Sequence, residues 1–177
     1  IYQALLQKTP DFDLYFLKLG EMYSLKKELQ TSIEYYEKFI TLRTGSEKFK
    51  NGDFINWDLS DFKSFGADPD LLKASFDLGV LHEHELNDLK GAFSIYLSLI
   101  RHAPFYIDAY KHFWHVYQHL LESQSDYLQD QHLHIEAFLQ VYKLLDPGGY
   151  ASVIPSSFLS LEEKGKLPIA YHKMSDA

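Results

Sequence analysis

Cysteine is absent from all 177 residues of this chain. Its absence excludes disulfide bridges, cysteine-based zinc sites and a thiol nucleophile. It does not decide the compartment, because a chain without cysteine folds in oxidising and in reducing surroundings alike. We expect a cytoplasmic location and leave a periplasmic or secreted one open.

Positive charge is scarce as well. Lysine and arginine number 17 against 25 aspartate and glutamate residues, which gives a formal net charge of −8. Nucleic-acid-binding modules need a basic surface, so we expect no nucleic-acid partner. Because an acidic protein attracts basic ones, a basic protein or peptide is the favoured partner class.

Long apolar runs are missing too. No segment approaches the roughly 18 uninterrupted apolar residues of a membrane-spanning helix, so we expect no membrane span. The opening IYQALLQKTP lacks the pattern of a signal peptide. The chain starts at Ile1 and not at Met, and we expect it to be a fragment or a mature product of a longer protein, of undetermined oligomeric state.

Short motifs of common enzyme classes are absent as well. The sequence contains no Gly-x-Gly-x-x-Gly, no phosphate-binding Gly-x4-Gly-Lys-Ser/Thr and no Gly-x-Ser-x-Gly. Carboxylates are plentiful, but their spacing alone does not identify an acid–base pair. We therefore predict no catalytic residue, no cofactor and no enzymatic activity.

What the chain does have is an internal repeat. The pair Leu19-Gly20 recurs 59 residues later as Leu78-Gly79. Further along, five positions recur at an offset of 60, namely Leu29, Ser32, Tyr36, Ile40 and Thr44, matched by Leu89, Ala92, Tyr96, Ile100 and Pro104. One constant offset within each half, with one residue inserted between the halves, is typical of two copies of a helix-turn-helix unit.

Each half of a copy has apolar residues three or four positions apart, and this spacing predicts a helix. Glycine inside a helix costs about 1 kcal/mol relative to alanine. Its presence at the same place in both copies, as Gly20 and Gly79, predicts close approach by a neighbouring helix. Tyr36 and Tyr96 are the side chains that we expect to pack over the two glycines.

The repeated motif has a recognisable order. The first copy shows Phe16-x2-Leu19-Gly20-x2-Tyr23, then Ser32-x3-Tyr36-x2-Phe39 and Thr44, and the second shows Leu78-Gly79, Ala92-x3-Tyr96-x2-Leu99 and Pro104. A looser third unit begins at Phe105 and ends in Leu-Leu-Asp-Pro at Pro147. This order resembles the tetratricopeptide repeat (TPR) family, with two good copies and one degenerate copy.

The resemblance implies an all-α protein, in which antiparallel helix-turn-helix repeats stack in a right-handed solenoid. We expect a single TPR-like domain over 1–177, with repeat units 13–44, 72–104 and 105–147, a folded insert 45–70 and a C-terminal cap 148–177 in which Gly148-Gly149 ends the repeats. The expected helices are 13–27, 30–43, 70–84, 88–102, 106–122 and 126–145. Two shorter helices are expected as well, one from Asp58 or Ser60 through Phe65 and one over 158–164.

A binding face follows from the same resemblance, since the first helix of each TPR-like unit lines a concave surface that holds peptides. Counted from the two glycines, this face comprises Leu14, Leu17, Glu21 and Leu25, then Lys73, Phe76, Val80 and His84, then Lys111, His115 and His119. Phe76 is the expected aromatic anchor. Because Glu21 and Val80 follow the glycines, the lysine-asparagine clamp with which one subfamily holds a peptide carboxylate is absent.

Nine histidines raise the question of a metal site. His112, His115 and His119 lie at i, i+3 and i+7, on one helical face. The sequence contains neither His-Glu-x-x-His nor Glu-x-x-His, the helical patterns of zinc proteases and di-iron bundles. We predict no tight metal site, and we expect His82 and His84 at an exposed helix end.

The resemblance implies a non-enzymatic scaffold that binds a protein or peptide on the concave face. An alternative is a regulatory or substrate-binding helical-repeat fragment of a larger enzyme. A third interpretation, a half-TPR-type module of RNA processing, is indicated by Trp114-x2-Tyr117 and disfavoured by the net charge.

Overall fold

The computed structural model describes residues 12–45, 68–123, 125–129 and 135–154, together with Tyr2 and Thr9. Its helices are α1 (Leu14–Leu25), α2 (Leu29–Thr44), α3 (Pro69–Val80), α4 (Leu89–His102), α5 (Ile107–Ser123), α6 (Ser125–Gln129), α7 (Ile135–Leu145) and α8 (Pro147–Val153). Helix α3 continues directly into a π-helical turn, Leu81–Glu85. The described residues contain no strand, and the all-α fold class is confirmed.

The helix bounds agree closely with those expected from the sequence. The first five expected helices begin and end within two residues of α1, α2, α3 with its π-helical turn, α4 and α5. The sixth, expected over 126–145, corresponds to α6 and α7, and the residues between these two helices lie outside the described part of the chain. The short helices expected near Phe65 and over 158–164 lie outside it too.

The chain divides into two compact units, Ile1–Ala103 and Pro104–Ala177. In the first unit, α1 packs on α2, α3 packs on α4, and α2 also contacts α3. In the second unit, α5 packs on α6, α7 and α8, and α7 packs on α8. The single domain and the stacking of three repeats stay predictions.

The two copies of the repeat form two helical hairpins within the first unit. Positions that match in sequence are buried in both copies, as the pairs Leu19 and Leu78, Ser32 and Ala92, Tyr36 and Tyr96, and Ile40 and Ile100 show. Burial of the same positions in both hairpins means that the repeated residues are those that hold each pair of helices together.

The shared glycines lie where a tyrosine of the second helix of each hairpin crosses the first. A Cβ atom on Gly20 would stand 2.9 Å from Cδ1 of Tyr36, and one on Gly79 would stand 2.6 Å from Cε1 of Tyr96. Both distances are shorter than any ordinary contact of a Cβ atom. The prediction that these tyrosines pack over the glycines is confirmed.

The residue inserted between the two halves lies in the π-helical turn. At the end of α1, the N–H of Lys26 donates to the carbonyl of Met22, four residues back, at 3.2 Å. The corresponding bond of the second copy runs from the N–H of Leu86 to the carbonyl of Leu81, five residues back, at 3.1 Å. Since a π-helical turn holds one more residue than an α-helical turn, it absorbs the insertion without interrupting the helix.

A second pair of bonds narrows the position of the insertion. The N–H of Glu28 donates to the carbonyl of Tyr23 at 3.0 Å, and the N–H of Asp88 donates to the carbonyl of His82 at 2.8 Å. As in the first pair of bonds, the two acceptor residues (Tyr23 and His82) lie 59 positions apart, whereas the two donor residues (Glu28 and Asp88) lie 60 positions apart. Taken with the first pair, this places the additional residue among 83–85.

Aspartates start several of the helices. Asp68 accepts hydrogen bonds from the N–H groups of Asp70 and Leu71, and so caps α3. Asp146 caps α8 in the same manner through the N–H of Gly149, 2.9 Å away. A Cβ on Gly149 would stand 2.0 Å from Oδ2 of Asp146, so a larger residue here would displace the capping carboxylate. The expected end of the repeats at Gly148-Gly149 stays a prediction, and the pair itself lies in the first turn of α8.

The core of the second unit is aromatic. Trp114 and Tyr117 are each 2% exposed, and Tyr110 stacks on Tyr142 with ring centroids 5.4 Å apart. Since the rings of Trp114 and Tyr117 are buried, they are not available to stack on a nucleic-acid base. The motif that indicated an RNA-processing module is thus a packing motif.

Candidate functional site

A groove of about 350 Å³ lies between the first helices of the two copies. Helix α1 lines it with Glu21, Ser24 and Leu25, α2 with Tyr36, α3 with Lys73, Asp77 and Val80, and the π-helical turn with Leu81. Its volume falls at the small end of ligand pockets, which suits one or two side chains of a peptide and not a large cofactor.

Four of the residues expected on the binding face lie together in this groove, namely Glu21, Leu25, Lys73 and Val80. Leu14 and His84 are not among the lining residues. Phe76, the expected anchor, is half-buried and is also absent from the lining, and its ring lies 5.9 Å from that of Tyr96.

Leu17 does not offer its side chain to a ligand. It is only 1% exposed, so its expected place on the binding face was wrong. Leu17 lies one helical turn before Gly20, which Tyr36 covers, and residues three apart share a helical face. The side chain therefore belongs to the core between the first hairpin's helices.

His82 also departs from its expected place. It was expected at an exposed helix end, but it is 7% exposed and its Nδ1 lies 2.9 Å from Oδ2 of Asp88. His84, by contrast, is exposed as expected. The π-helical turn separates the two, because it directs His82 toward the start of α4.

Sequence reasoning missed four lining residues, Ser24, Tyr36, Asp77 and Leu81. Three of them follow the expected ones by helical spacing, since Ser24 lies three positions after Glu21, and Asp77 and Leu81 lie four and eight positions after Lys73. A wider stripe on each first helix would have included them. Tyr36 carried no such signal, because its ring packs on Gly20 while its hydroxyl reaches the groove.

The charged residues of the groove alternate in sign. The ammonium group of Lys73 lies 3.2 Å from Oε1 of Glu21 and also contacts Asp77. On the far side of Glu21, Lys18 lies 2.9 Å from Oε2. The ammonium group of Lys73 therefore bridges a carboxylate on α1 and a carboxylate on α3.

These contacts favour the charged forms of both groove partners. Burial alone would raise the pKa of Glu21, but hydrogen bonds from Lys18 and Lys73 outweigh it and lower the pKa. Burial would likewise lower the pKa of Lys73, and the contacts with Asp77 and Glu21 outweigh it and raise the pKa. Neither group is held in the neutral form that a general base amine or general acid carboxyl would need at pH 7.

Tyr36 joins the same network from α2. Its hydroxyl donates to Oδ2 of Asp77 at 3.2 Å. Burial, followed by the charges of Asp77 and Glu21, raises the pKa of Tyr36 well above its usual value. It stays a neutral phenol, so it acts here as a hydrogen-bond donor and not as a nucleophile.

The apolar part of the groove is dominated by Leu25. This side chain is 86% exposed at the end of α1, beside the half-buried Val80 and the buried Leu81. A single exposed leucine is common on protein surfaces. One that borders a groove with charged walls is instead a suitable contact for an aliphatic or aromatic side chain of a partner.

Ion pairs across the two copies position the groove. Arg43 at the end of α2 donates to Asp13 and to Asp68, each at 2.7 Å, and so joins the starts of α1 and α3. At the opposite ends of these helices, Lys27 lies 2.5 Å from Oε1 of Glu85. Ion pairs thus join the two first helices at both of their ends.

The expected binding residues of the third unit, Lys111, His115 and His119, are exposed on α5. They belong to the second compact unit, whereas the groove belongs to the first. The two imidazoles approach each other closely, with Nε2 of His115 3.2 Å from Nε2 of His119.

Comparison with known proteins found no matching family model, no similar curated protein and no similar solved structure. Among the helices that the structure describes, none is long and apolar enough to cross a membrane. The groove itself is lined by charged residues that form ion pairs with one another beside an exposed leucine.

Proposed function

We propose that this chain is a non-enzymatic scaffold, built of TPR-like repeats in a right-handed stack, that binds a protein or peptide segment. The observation that carries the proposal is the groove between α1 and α3. It is lined by the corresponding helices of two sequence repeats, and it combines one largely exposed leucine with paired charges. Such a surface suits recognition of side chains and lacks a group poised for proton transfer.

The partner that fits this groove best is a basic segment with a neighbouring aliphatic or aromatic side chain. Glu21 and Asp77 supply two carboxylates, and the single cation between them, Lys73, is half exposed. Surface ion pairs contribute only about 0–1 kcal/mol each, so a lysine or arginine of the partner can replace Lys73 at small cost. The net charge of −8 favours the approach of a basic partner.

Selection of peptides from a random displayed library on the immobilised chain tests the proposal, followed by affinity measurement with a synthetic winner. We expect enrichment of peptides that carry lysine or arginine next to an apolar residue. Leu25→Asp should weaken their binding at least tenfold, because it places a carboxylate in the apolar part of the groove.

Leu144→Asp is the matched control, since Leu144 on α7 is 82% exposed and lies in the other unit. It should leave the affinity unchanged, and circular dichroism should show both variants folded. Failure to enrich any peptide, or equal binding by the Leu25→Asp variant, would refute the groove as the binding site.

A further inference from the structure

A pair of histidines on α5, in the second compact unit, has the geometry of a chelate. His115 and His119 are four residues apart, so they lie on the same helical face. Both are exposed, and the two Nε2 atoms are 3.2 Å apart. The ring planes meet at 78°, so neither ring stacks over the other.

The separation of the two nitrogens matches the bond lengths of a metal ion. A Zn²⁺–imidazole bond measures about 2.0–2.1 Å. Two such bonds at an angle of about 90–110° place their nitrogens about 2.8–3.4 Å apart. The observed 3.2 Å lies within that interval, so one ion would contact both Nε2 atoms without movement of the helix.

We infer that His115 and His119 form a two-point site for a divalent transition-metal ion. Imidazole suits Cu²⁺, Ni²⁺ and Zn²⁺, whereas Mg²⁺ and Ca²⁺ prefer oxygen ligands. Cu²⁺ binds most tightly of the first-row divalent ions to a nitrogen site. The remaining coordination positions face solvent, where water or a donor from another molecule completes the set.

This site differs from the tight metal site whose absence the sequence predicts. A structural zinc site has four protein ligands, and here the protein supplies two. The same distance also permits a hydrogen bond from one Nε2–H to the other Nε2. Metal binding needs both Nε2 lone pairs, so in that case the proton moves to Nδ1 and the two arrangements exclude each other.

Calorimetric titration of the full chain without an affinity tag decides between the two arrangements. We expect one Cu²⁺ ion per chain, weaker binding of Zn²⁺ and none of Mg²⁺. His115→Ala and His119→Ala should each weaken Cu²⁺ binding at least tenfold, because each removes one of two ligands. Lowering the pH should weaken binding too, because protons compete for the imidazoles.

His102→Ala on α4 is the control for nonspecific histidine binding, and it should leave the affinity unchanged. Thermal unfolding gives an independent readout, since Cu²⁺ that clips one turn of α5 should raise the melting temperature only while both histidines are present. Absence of saturable binding, or loss in only one of the two α5 variants, would overturn the site and leave a hydrogen bond between the rings.

Discussion

At the scale of single residues, a tyrosine ring of each hairpin in the first unit packs where a glycine lacks a side chain. The ring of Tyr96 would stand 2.6 Å from a Cβ on Gly79, whereas the ring of Tyr36 would stand 2.9 Å from one on Gly20. The contact between a tyrosine ring and a glycine therefore recurs in both hairpins, and it is closer in the second. The hydroxyls then diverge, because Tyr36 donates to Asp77 in the groove and Tyr96 donates to the buried Glu83 at 2.8 Å.

Alanine at either glycine should destabilise the fold. Overpacking a core costs about 1–3 kcal/mol, which exceeds the gain of about 1 kcal/mol in helix propensity. Gly79→Ala should cost more than Gly20→Ala, since its Cβ would stand closer to the tyrosine ring. Denaturant unfolding of the two variants measures both the sign and the order.

Gly148→Ala provides the matched control. Its nearest neighbour to a new Cβ is Oδ1 of Asp146 at 3.8 Å, so alanine fits and should stabilise the protein by about 0.5–1 kcal/mol. If all three alanine variants gain stability alike, the tyrosines do not require the glycines.

Glu37 on α2 should make stability depend on pH. Burial, followed by the charge of Glu34, raises the pKa of Glu37 to about 7, above its ordinary value of 4.5. The folded state thus favours the protonated carboxyl, and its contribution is complete below pH 4.5 and lost as the pH rises through 7. Glu37→Gln, which stays neutral, should stabilise the protein at pH 8 by about 1 kcal/mol or less after screening by solvent, and change little at pH 4.5.

Unfolding at pH 4.5 and pH 8 gives the comparison, with the exposed Glu122→Gln on α5 as control. The control should shift stability equally at both values. A Glu37→Gln variant that gains the same stability at both pH values would show that the carboxyl is not responsible for the pH dependence.

At the scale of helices, the π-helical turn gives the second copy contacts that the first lacks. It contains Glu83, which is buried against the hydroxyl of Tyr96, and Glu85, which pairs with Lys27 of the first copy. It also contains His82, whose ring contacts Asp88, and Asp88 caps α4 by accepting a hydrogen bond from the N–H of Gly91. The additional residue thus allows one turn to contact its own hairpin and the neighbouring one.

Deletion of His84 should convert the π-helical turn into a regular α-helical turn. The bond from Leu86 to Leu81 would then span four residues, as it does in the first copy, and the capping Asp88 would keep its place. We expect a folded, helical protein with a loss of stability below about 2 kcal/mol, because only contacts at the turn change.

Deletion of Lys18 in α1 is the control, since Lys18 is also exposed but its helix has no π-helical turn. Removing Lys18 would rotate Phe16 and Leu17 by about 100° about the helix axis relative to the rest of α1. Both side chains would then turn away from the core. Misplacing two buried side chains should cost several kcal/mol. Equal losses in the two deletions, measured by thermal unfolding, would contradict the assignment of the inserted residue.

At the scale of the whole molecule, the acidic surface and the groove predict the same partner charge. Lys73→Met removes the only lining cation among the described residues of the groove and leaves Glu21 and Asp77 without its contacts. A selected basic peptide should then bind about tenfold more tightly, and its association should slow as salt rises. Glu21→Gln should have the opposite effect, and fluorescence polarisation measures both.

Weaker binding of the basic peptide by the Lys73→Met variant would show that the lysine contacts the ligand directly. In that case the partner's own carboxylates, and not its cations, occupy the groove.

Much of the first unit was accessible from the sequence because its information is periodic. The offsets of 59 and 60 residues located both hairpins, the crossing of Tyr36 and Tyr96 over the glycines, and half of the groove residues. Periodicity places a residue on a helical face, and the face of α1 that packs on α2 adjoins the face that lines the groove. Leu17 lies between these two faces of α1, so the position of α2 decides whether its side chain is buried.

The remaining features depend on contacts between residues far apart in the chain. Nothing near Tyr36 in the sequence indicates that its hydroxyl reaches Asp77, 41 positions later. Helix α8 was missed because a Gly-Gly pair usually ends a helix, and the sequence does not show that the side chain of Asp146 caps α8 through the N–H of Gly149. The chelating distance between His115 and His119 depends on side-chain torsions that a sequence does not give.

The residue inserted in the π-helical turn corresponds to one additional codon in the gene. The two first helices can be aligned through their hydrogen bonds only with a gap of that single codon, and the gap lies within the three positions 83–85. If both hairpins descend from one duplicated unit, the codon was gained in one copy or lost from the other after the duplication.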